Sequence, residues 1–224
     1  MRYTHADFMA LFDGWAPTYD QTVFGGADGF ENYREVLARV VRAVRARPRA
    51  LVVDVGAGTG NLSLELQRVG YRVVAVDPSA GMRREARRKL RGVPVLDGHF
   101  LHIPLPDGVA AAAVSTYALH HLDDPTKALA ARELLRVVRP GGRVVIGDIA
   151  FASWRAREEF RELLLARGRL DLVEELDSEY YTSVEVLTGT FERLGCRCRA
   201  EQVDDWVWIV TAEVPPAAAG EMGP

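Results

Sequence analysis

Leu51-Val52-Val53-Asp54-Val55-Gly56-Ala57-Gly58-Thr59-Gly60 decides the fold. Its first half is a short apolar, β-branched run, the pattern of a parallel strand buried on both faces. The run stops at Gly56. Residues 61–69 then fit a helix, so strand, glycine turn and helix follow in the order that opens a parallel βαβ unit. Glycines at such a turn let the backbone bend tightly and approach a ligand closely.

The same rhythm repeats outward from this stretch. Residues 71–76 read as a second strand stopped by Asp77-Pro78, and Ser79 can cap a helix running to about Leu90. Residues 93–96 are a third, weaker strand, and residues 109–115 a fourth. A helix over 125–138 follows, and Pro140-Gly141-Gly142 turns the chain into a fifth strand at 143–148. Strands alternating with helices at this spacing predict a doubly wound parallel sheet with helices on both faces. Beyond Asp148 the alternation lapses into one or two polar helices over 153–176. A helix at 183–194 ends at Gly195. Strands at 196–203 and 206–212 are joined by Asp204-Asp205, too short a connection for anything but an antiparallel pair. Upstream, residues 6–20 and 28–46 read as helices separated by Gly25-Gly26. Phe30, Tyr33, Val36, Leu37, Val40, Val41 and Val44 recur at helical spacing in the second.

Composition bounds the class. The chain has 224 residues, 28 Lys+Arg against 31 Asp+Glu, a net charge of −3 and 48% apolar residues, which is globular usage. The near-neutral balance disfavours nucleic acid as a partner. No run of ~18 apolar residues predicts a membrane span. The stretch 1–7 lacks the apolar core of a signal peptide, and Cys196 and Cys198 are spaced too closely on a strand to pair with each other. A reduced, cytoplasmic protein is expected. Nearly every basic residue is arginine; Lys89 and Lys127 are the only lysines.

Asp77 ends the second strand, 17 residues after Gly60, where a carboxylate can accept both hydroxyls of a ribose. With the glycine loop it predicts a nucleoside-containing cofactor, bound beyond the carboxyl ends of the strands. The dinucleotide pattern G-x-G-x-x-G would need glycine at 61, and Asn61 stands there.

The spacing Asp54-x-Gly56-x-Gly58-x-Gly60 resembles the first motif of the class I S-adenosylmethionine-dependent methyltransferases. Other stretches resemble the same family. They are Phe12-Asp13-Gly14-Trp15-Ala16-Pro17-Thr18-Tyr19-Asp20, Ser115-Thr116-Tyr117-Ala118-Leu119-His120-His121-Leu122, and the Leu134 to Gly142 helix end and turn. Tyr19 to Val23, Ser115 to Leu122 and Glu179-Tyr180-Tyr181-Thr182 are similar to a narrower group of small bacterial members. The resemblance covers about residues 8–212.

It implies a seven-stranded, mostly parallel, Rossmann-like α/β sheet with an antiparallel last strand. One domain would span 1–213, with N-terminal lid helices over 1–46, a helical cap inserted at 150–182, and a disordered tail at 214–224. The implied cofactor is S-adenosylmethionine, leaving as S-adenosylhomocysteine. Its implied neighbours are Tyr19, Asp54, Gly56, Ala57, Gly58, Gly60, Asp77, Pro78, Ser79, Met82, Gly98, His99, Phe100 and Ser115. Many members carry an acid after the third strand to meet adenine; His99 stands there, and either it or Asp97 takes that part. The implied partner is a small-molecule methyl acceptor, and a monomer or homodimer is expected. His120, His121, Tyr117 and Tyr181 are the catalytic candidates, because an acceptor that must lose a proton needs a base. No spacing matches a recognised metal-ligand motif, and no metal is expected. The rival readings are an NAD(P)-dependent oxidoreductase, a cofactor-binding protein without turnover, and an RNA methyltransferase.

Overall fold

The alternation of side chains along each strand sorts the core into two layers around one sheet. A computed structural model describes residues 5–27 and 30–217. The strands are β1 (Leu51–Val55), β2 (Arg72–Asp77), β3 (Val95–Asp97), β4 (Ala110–Thr116), β5 (Val138–Phe151), β6 (Thr182–Ser183), β7 (Arg197–Gln202) and β8 (Val207–Glu213). The helices are α1 (His5–Trp15), α2 (Tyr19–Phe24), α3 (Tyr33–Val44), α4 (Asn61–Arg68), α5 (Ala80–Lys89), α6 (Asp124–Val137), α7 (Trp154–Ala166), α8 (Leu170–Ser178) and α9 (Val184–Glu192).

The sheet order is β3-β2-β1-β4-β5-β8-β7, with the two-residue β6 paired to the end of β5. Strands β1 to β5 run parallel, and β8 is antiparallel to both β5 and β7. Val53 and Val55 face one layer, with Leu134 of α6 and Phe191 of α9. Val52 faces the other, with Val36, Leu37 and Val40 of α3 and Leu66 of α4. This period-2 division explains why β1 has no polar alternation: both of its faces are covered. Because β1 pairs with β2 on one side and β4 on the other, the chain switches direction at its carboxyl end. A crevice opens there.

Three local readings change. The helix expected over 6–20 breaks into α1 and α2 around Pro17, which has no N–H for a helical bond. The fifth strand is longer than expected: it begins at Val138, shifts register between Ala110 and Ala112 of its partner, and continues to Phe151. The tail does not start at residue 214. The Val214 N–H donates to Gly142 O and the Gly141 N–H to Pro215 O, each at 3.0 Å, prolonging the β5–β8 pairing. Residues 218–224 lie outside the described residues. Cys196 is buried, Cys198 is half-buried, and both are free thiols. Among the described residues no helix is long and apolar enough to cross a membrane.

Candidate active site

The crevice is a cavity of about 530 Å³, lined at one end by the glycine loop and Asp77 and at the other by His121, Glu179 and Tyr180. That volume lies within the range of roughly 300–1,000 Å³ usual for small-molecule sites.

The glycine end is built mainly from backbone. The N–H groups of Gly56 and Ala57 both donate to Val76 O, at 2.9 and 3.1 Å, which pins the loop to the end of β2. Gly56, at φ +71°, sits in the left-handed region, and a Cβ there would lie 2.6 Å from that of Ala118. Only glycine fits both demands. Asp77 Oδ2 accepts from the Gly58 N–H and Oδ1 from the Ser79 N–H, both at 2.8 Å. Burial pushes the Asp77 carboxyl up to about 6, against these two hydrogen bonds. Ser79 caps α5 by accepting from the Met82 N–H.

The two N-terminal helices close this end through two aspartates. Asp13 Oδ1 accepts from Ser79 Oγ at 2.5 Å and from the Gly81 N–H at 2.7 Å. Asp20 accepts from Thr59 Oγ1 at 2.6 Å and Asn61 Nδ2 at 3.0 Å, and pairs with Lys89 Nζ at 2.6 Å. Tyr19 and Tyr33 share a hydrogen bond, and both phenols line the cavity with Tyr117. Burial raises all three hydroxyls above the ordinary tyrosine range. Tyr117 holds φ +50°, an uncommon conformation for a bulky side chain, as the chain leaves β4.

The other end is built from side chains of distant segments. Asp148 on β5 is buried. Its Oδ2 accepts from the N–H groups of Leu119 and His120 at 2.7 and 3.1 Å, and its Oδ1 from the Ile149 N–H at 2.8 Å. His120 Nδ1 meets the same Oδ1 at 2.5 Å. Burial opposes charge on His120, but Asp148 outweighs it and the imidazole pKa is raised. Asp148 is likewise opposed by burial and lowered by His120, so the two form a buried ion pair. His121 lies against His120 with ring centroids 4.0 Å apart, and its Nδ1 is 3.0 Å from Glu179 Oε2. Burial, then the neighbouring His120 charge, lowers the His121 pKa and favours the neutral ring.

Of the residues singled out from the sequence, Tyr19, Gly56, Ala57, Gly58, Asp77, Pro78, Ser79, Met82, His99, Phe100, Tyr117 and His121 line the cavity. Six do not. Asp54 stands behind the loop, accepting from Ser63 Oγ at 2.7 Å, and its other oxygen has no protein partner. Its burial lifts the carboxyl to about 7. Gly60 packs on Leu90, Gly98 on Pro104 and Val76, and Ser115 is fully buried within β4. His120 faces Asp148. Tyr181 turns away, with its hydroxyl donating to Glu175 Oε1 at 3.2 Å and its ring against His120 and Phe151. Asp97 is engaged by Arg83 in a two-point pair at 3.0 Å outside the cavity, which leaves His99 as the side chain on the wall.

Glu179, Tyr33, Asp13 and Asp20 carry site geometry that residue type and spacing did not assign. All but Tyr33 stand inside stretches quoted above for the family resemblance. His120, His121 and Glu179 offer ligand atoms within 4.8 Å of one another and could hold a cation, although both imidazoles already face carboxylates.

A family model described as a methyltransferase domain matches residues 53–146. An uncharacterized methyltransferase of Geobacillus sp. (strain WCH70) is 39% identical over 214 residues, covering 92% of this chain and 97% of its own. One from Oceanobacillus iheyensis is 35% identical over 211 residues, with 92% and 97% covered. The solved DhpI–SAM–HEP complex shares the fold at a TM-score of 0.69 and 21% identity, covering 94% of this chain and 99% of its own. The cavity fits S-adenosylmethionine on its own chemistry: each Asp77 oxygen takes one backbone N–H and keeps a lone pair for a ribose hydroxyl. Fold, glycine loop, the carboxylate that ends β2 and relatives aligned over 92% of the chain converge, and the chain belongs to the class I S-adenosylmethionine-dependent methyltransferases, within a group of small bacterial members.

Proposed function

We propose that the enzyme methylates a small-molecule acceptor held between Tyr117, Tyr180 and His121, with His121 taking the acceptor's proton. One observation carries the reading: a single cavity joins the Asp77 end to the His121–Glu179 pair. S-adenosylmethionine supplies an activated methyl group, already made electrophilic by the sulfonium charge. The chain's own tasks are alignment, exclusion of water and removal of a proton.

Gly56, Gly58 and Asp77 orient the nucleoside and the loop around it, and His99 and Phe100 flank the adenine. Tyr19 and Phe12 cover the site from the N-terminal helices. Neutral His121, with Nδ1 donating to Glu179, presents Nε2 as the acceptor of a proton. The charge held on His120 by Asp148 discourages His121 from protonating prematurely. The basic face of α5 supports a small acceptor over RNA. Arg83 is spent on Asp97, Arg87 on Val95 O, Arg88 on Glu85 and Lys89 on Asp20. The free thiols support a reducing, cytoplasmic setting.

Thiols, phenols, amines and carboxylates assayed for homocysteine release, with isotope transfer from labelled S-adenosylmethionine, test the proposal. His121→Gln is expected to lower turnover on the best acceptor ~10²–10⁴-fold while S-adenosylhomocysteine still binds. Turnover unchanged in that variant removes His121 as the base. Labelling of RNA alone removes the small-molecule acceptor.

A further inference from the structure

The chain uses arginine almost everywhere and lysine at two places, Lys89 and Lys127. Both ammonium groups are surrounded by oxygen. Lys89 Nζ meets Asp20 Oδ2 at 2.6 Å, Thr59 Oγ1 at 3.1 Å and Asn61 Oδ1. Lys127 Nζ donates to Leu122 O and Tyr180 O, each at 2.5 Å, and to Asp124 Oδ1 at 3.2 Å. Three protons set tetrahedrally can serve three oxygens around one point. A guanidinium presents a flat fork and cannot. The Lys127 side chain is 4% exposed, so its charge is tolerated only because the oxygens replace its water.

We propose that Lys127 is a positioning residue that clasps residue 180 to the 119–122 turn and thereby holds Glu179 against His121. The proposal rests on the reading of His121–Glu179 as the proton-accepting pair. Both peptide groups of Tyr180 are fastened to the α6 side of the site: its N–H donates to His120 O at 3.2 Å, and its carbonyl accepts from Lys127. Glu179 is the next residue back and caps the end of α8: its N–H donates to Glu175 O at 3.1 Å, while its own backbone, at ψ 160°, has already left the helix. Two carbonyls and one carboxylate thus fix a segment 53 residues away in sequence. The groups facing His121 are His120 on its own turn, Asp148 on β5, Glu179 after α8 and the Phe12 ring on α1. Those facing Lys127 are Asp123 and Asp124 at the start of α6 and Asp148.

The test follows His121 itself by nitrogen-15 NMR titration of the imidazoles in the full chain. The native protein is compared with Glu179→Gln, Lys127→Met, Lys127→Arg and the Lys127→Met/Glu179→Gln pair. Glu179→Gln removes the carboxylate that supports the His121 proton and shifts its titration to lower pH. Lys127→Met is expected to shift it in the same direction, and the double variant no further than Glu179→Gln alone. Lys127→Arg keeps the charge but not the tetrahedral donors, and is expected not to restore the native titration. If Lys127→Met does not fold, Lys127→Arg carries the same comparison. A folded Lys127 variant with the native His121 titration overturns the clasp, as do additive shifts in the double variant. The measurement involves no methyl transfer, so its failure leaves the base assignment standing, and failure of His121→Gln to slow turnover leaves the clasp standing.

Discussion

The two ends of the cavity are made from different material. At the cofactor end, the loop after β1 and the carboxylate ending β2 come from neighbouring parallel strands, and most of the contacts involve backbone N–H groups. At the other end, where we place the acceptor, His121 and Glu179 are 58 residues apart and meet only as side chains. At the residue next to each, Asp148 of β5 accepts from the His120 N–H and Lys127 of α6 donates to Tyr180 O. A backbone cradle depends on the φ, ψ and clearance of its own glycines, whereas a side-chain pair depends on every element that presents it. The same fold can therefore keep one cofactor while its acceptor end is rebuilt.

Substitution at the cradle should produce the largest effects. Gly56→Ala combines left-handed backbone with a Cβ 2.6 Å from Ala118, and is expected to cost about 2–4 kcal/mol in thermal or urea unfolding. Gly58→Ala, at φ +54° with nothing within 4 Å, should cost only about 1–2 kcal/mol, from strain alone. Equal losses at the two positions would show that the close approach to Ala118 is unimportant.

Next in size, Asp77→Ala should weaken S-adenosylhomocysteine by ~1.5–3 kcal/mol in calorimetry, through loss of charge-assisted hydrogen bonds. Unchanged affinity would move the ribose elsewhere.

The pH dependence follows from the same carboxylate. Asp77 and Asp54 are lifted from 3.8 to about 6 and about 7. Between about 4 and about 7 the folded chain therefore holds more protons than the unfolded one. Stability of the cofactor-free protein should fall as pH rises through that window. Ribose binding favours ionised Asp77, so affinity should rise by up to about tenfold per pH unit as the pH increases toward 6, then level off. Melts at pH 5.5 and 7.5, with and without S-adenosylhomocysteine, read both trends. Asp54→Asn should flatten the first.

The smallest expected effect is at the helical cover. Asp13→Ala removes the bonds to Ser79 and Gly81 and should weaken the cofactor by about 0.5–1.5 kcal/mol, seen as faster dissociation. No change would mean that α1 closes over the acceptor end alone.

The contrast also explains what could be read in advance. Asp77 and the glycines announce themselves because strand, turn and carboxylate lie within one short stretch of chain, and their spacing is dictated by the βαβ crossover. Glu179 sits in a stretch with no periodic signal, and residue type alone does not set it apart from the exposed acids of α8; only the resemblance of Glu179-Tyr180-Tyr181-Thr182 marks the place. Asp54 looks like a ligand of the loop by spacing, yet strand alternation turns it toward Ser63 of α4. Tyr181 and His120 carry the right chemistry but face the layer behind the cavity, because β5 and β6 bury them against Asp148 and Phe151.

Local sequence settled the order of elements, the sheet's parallel core, the antiparallel closing strand and the glycine loop after β1. These depend on hydrophobic period, β-branching and glycine placement, all short-range properties. Tertiary structure decided which histidine meets the cavity, which carboxylate supports it, and that two aspartates and two lysines fasten the covering segments. Those outcomes hang on the direction of single side chains between elements tens of residues apart, and only the packed sheet sets those directions.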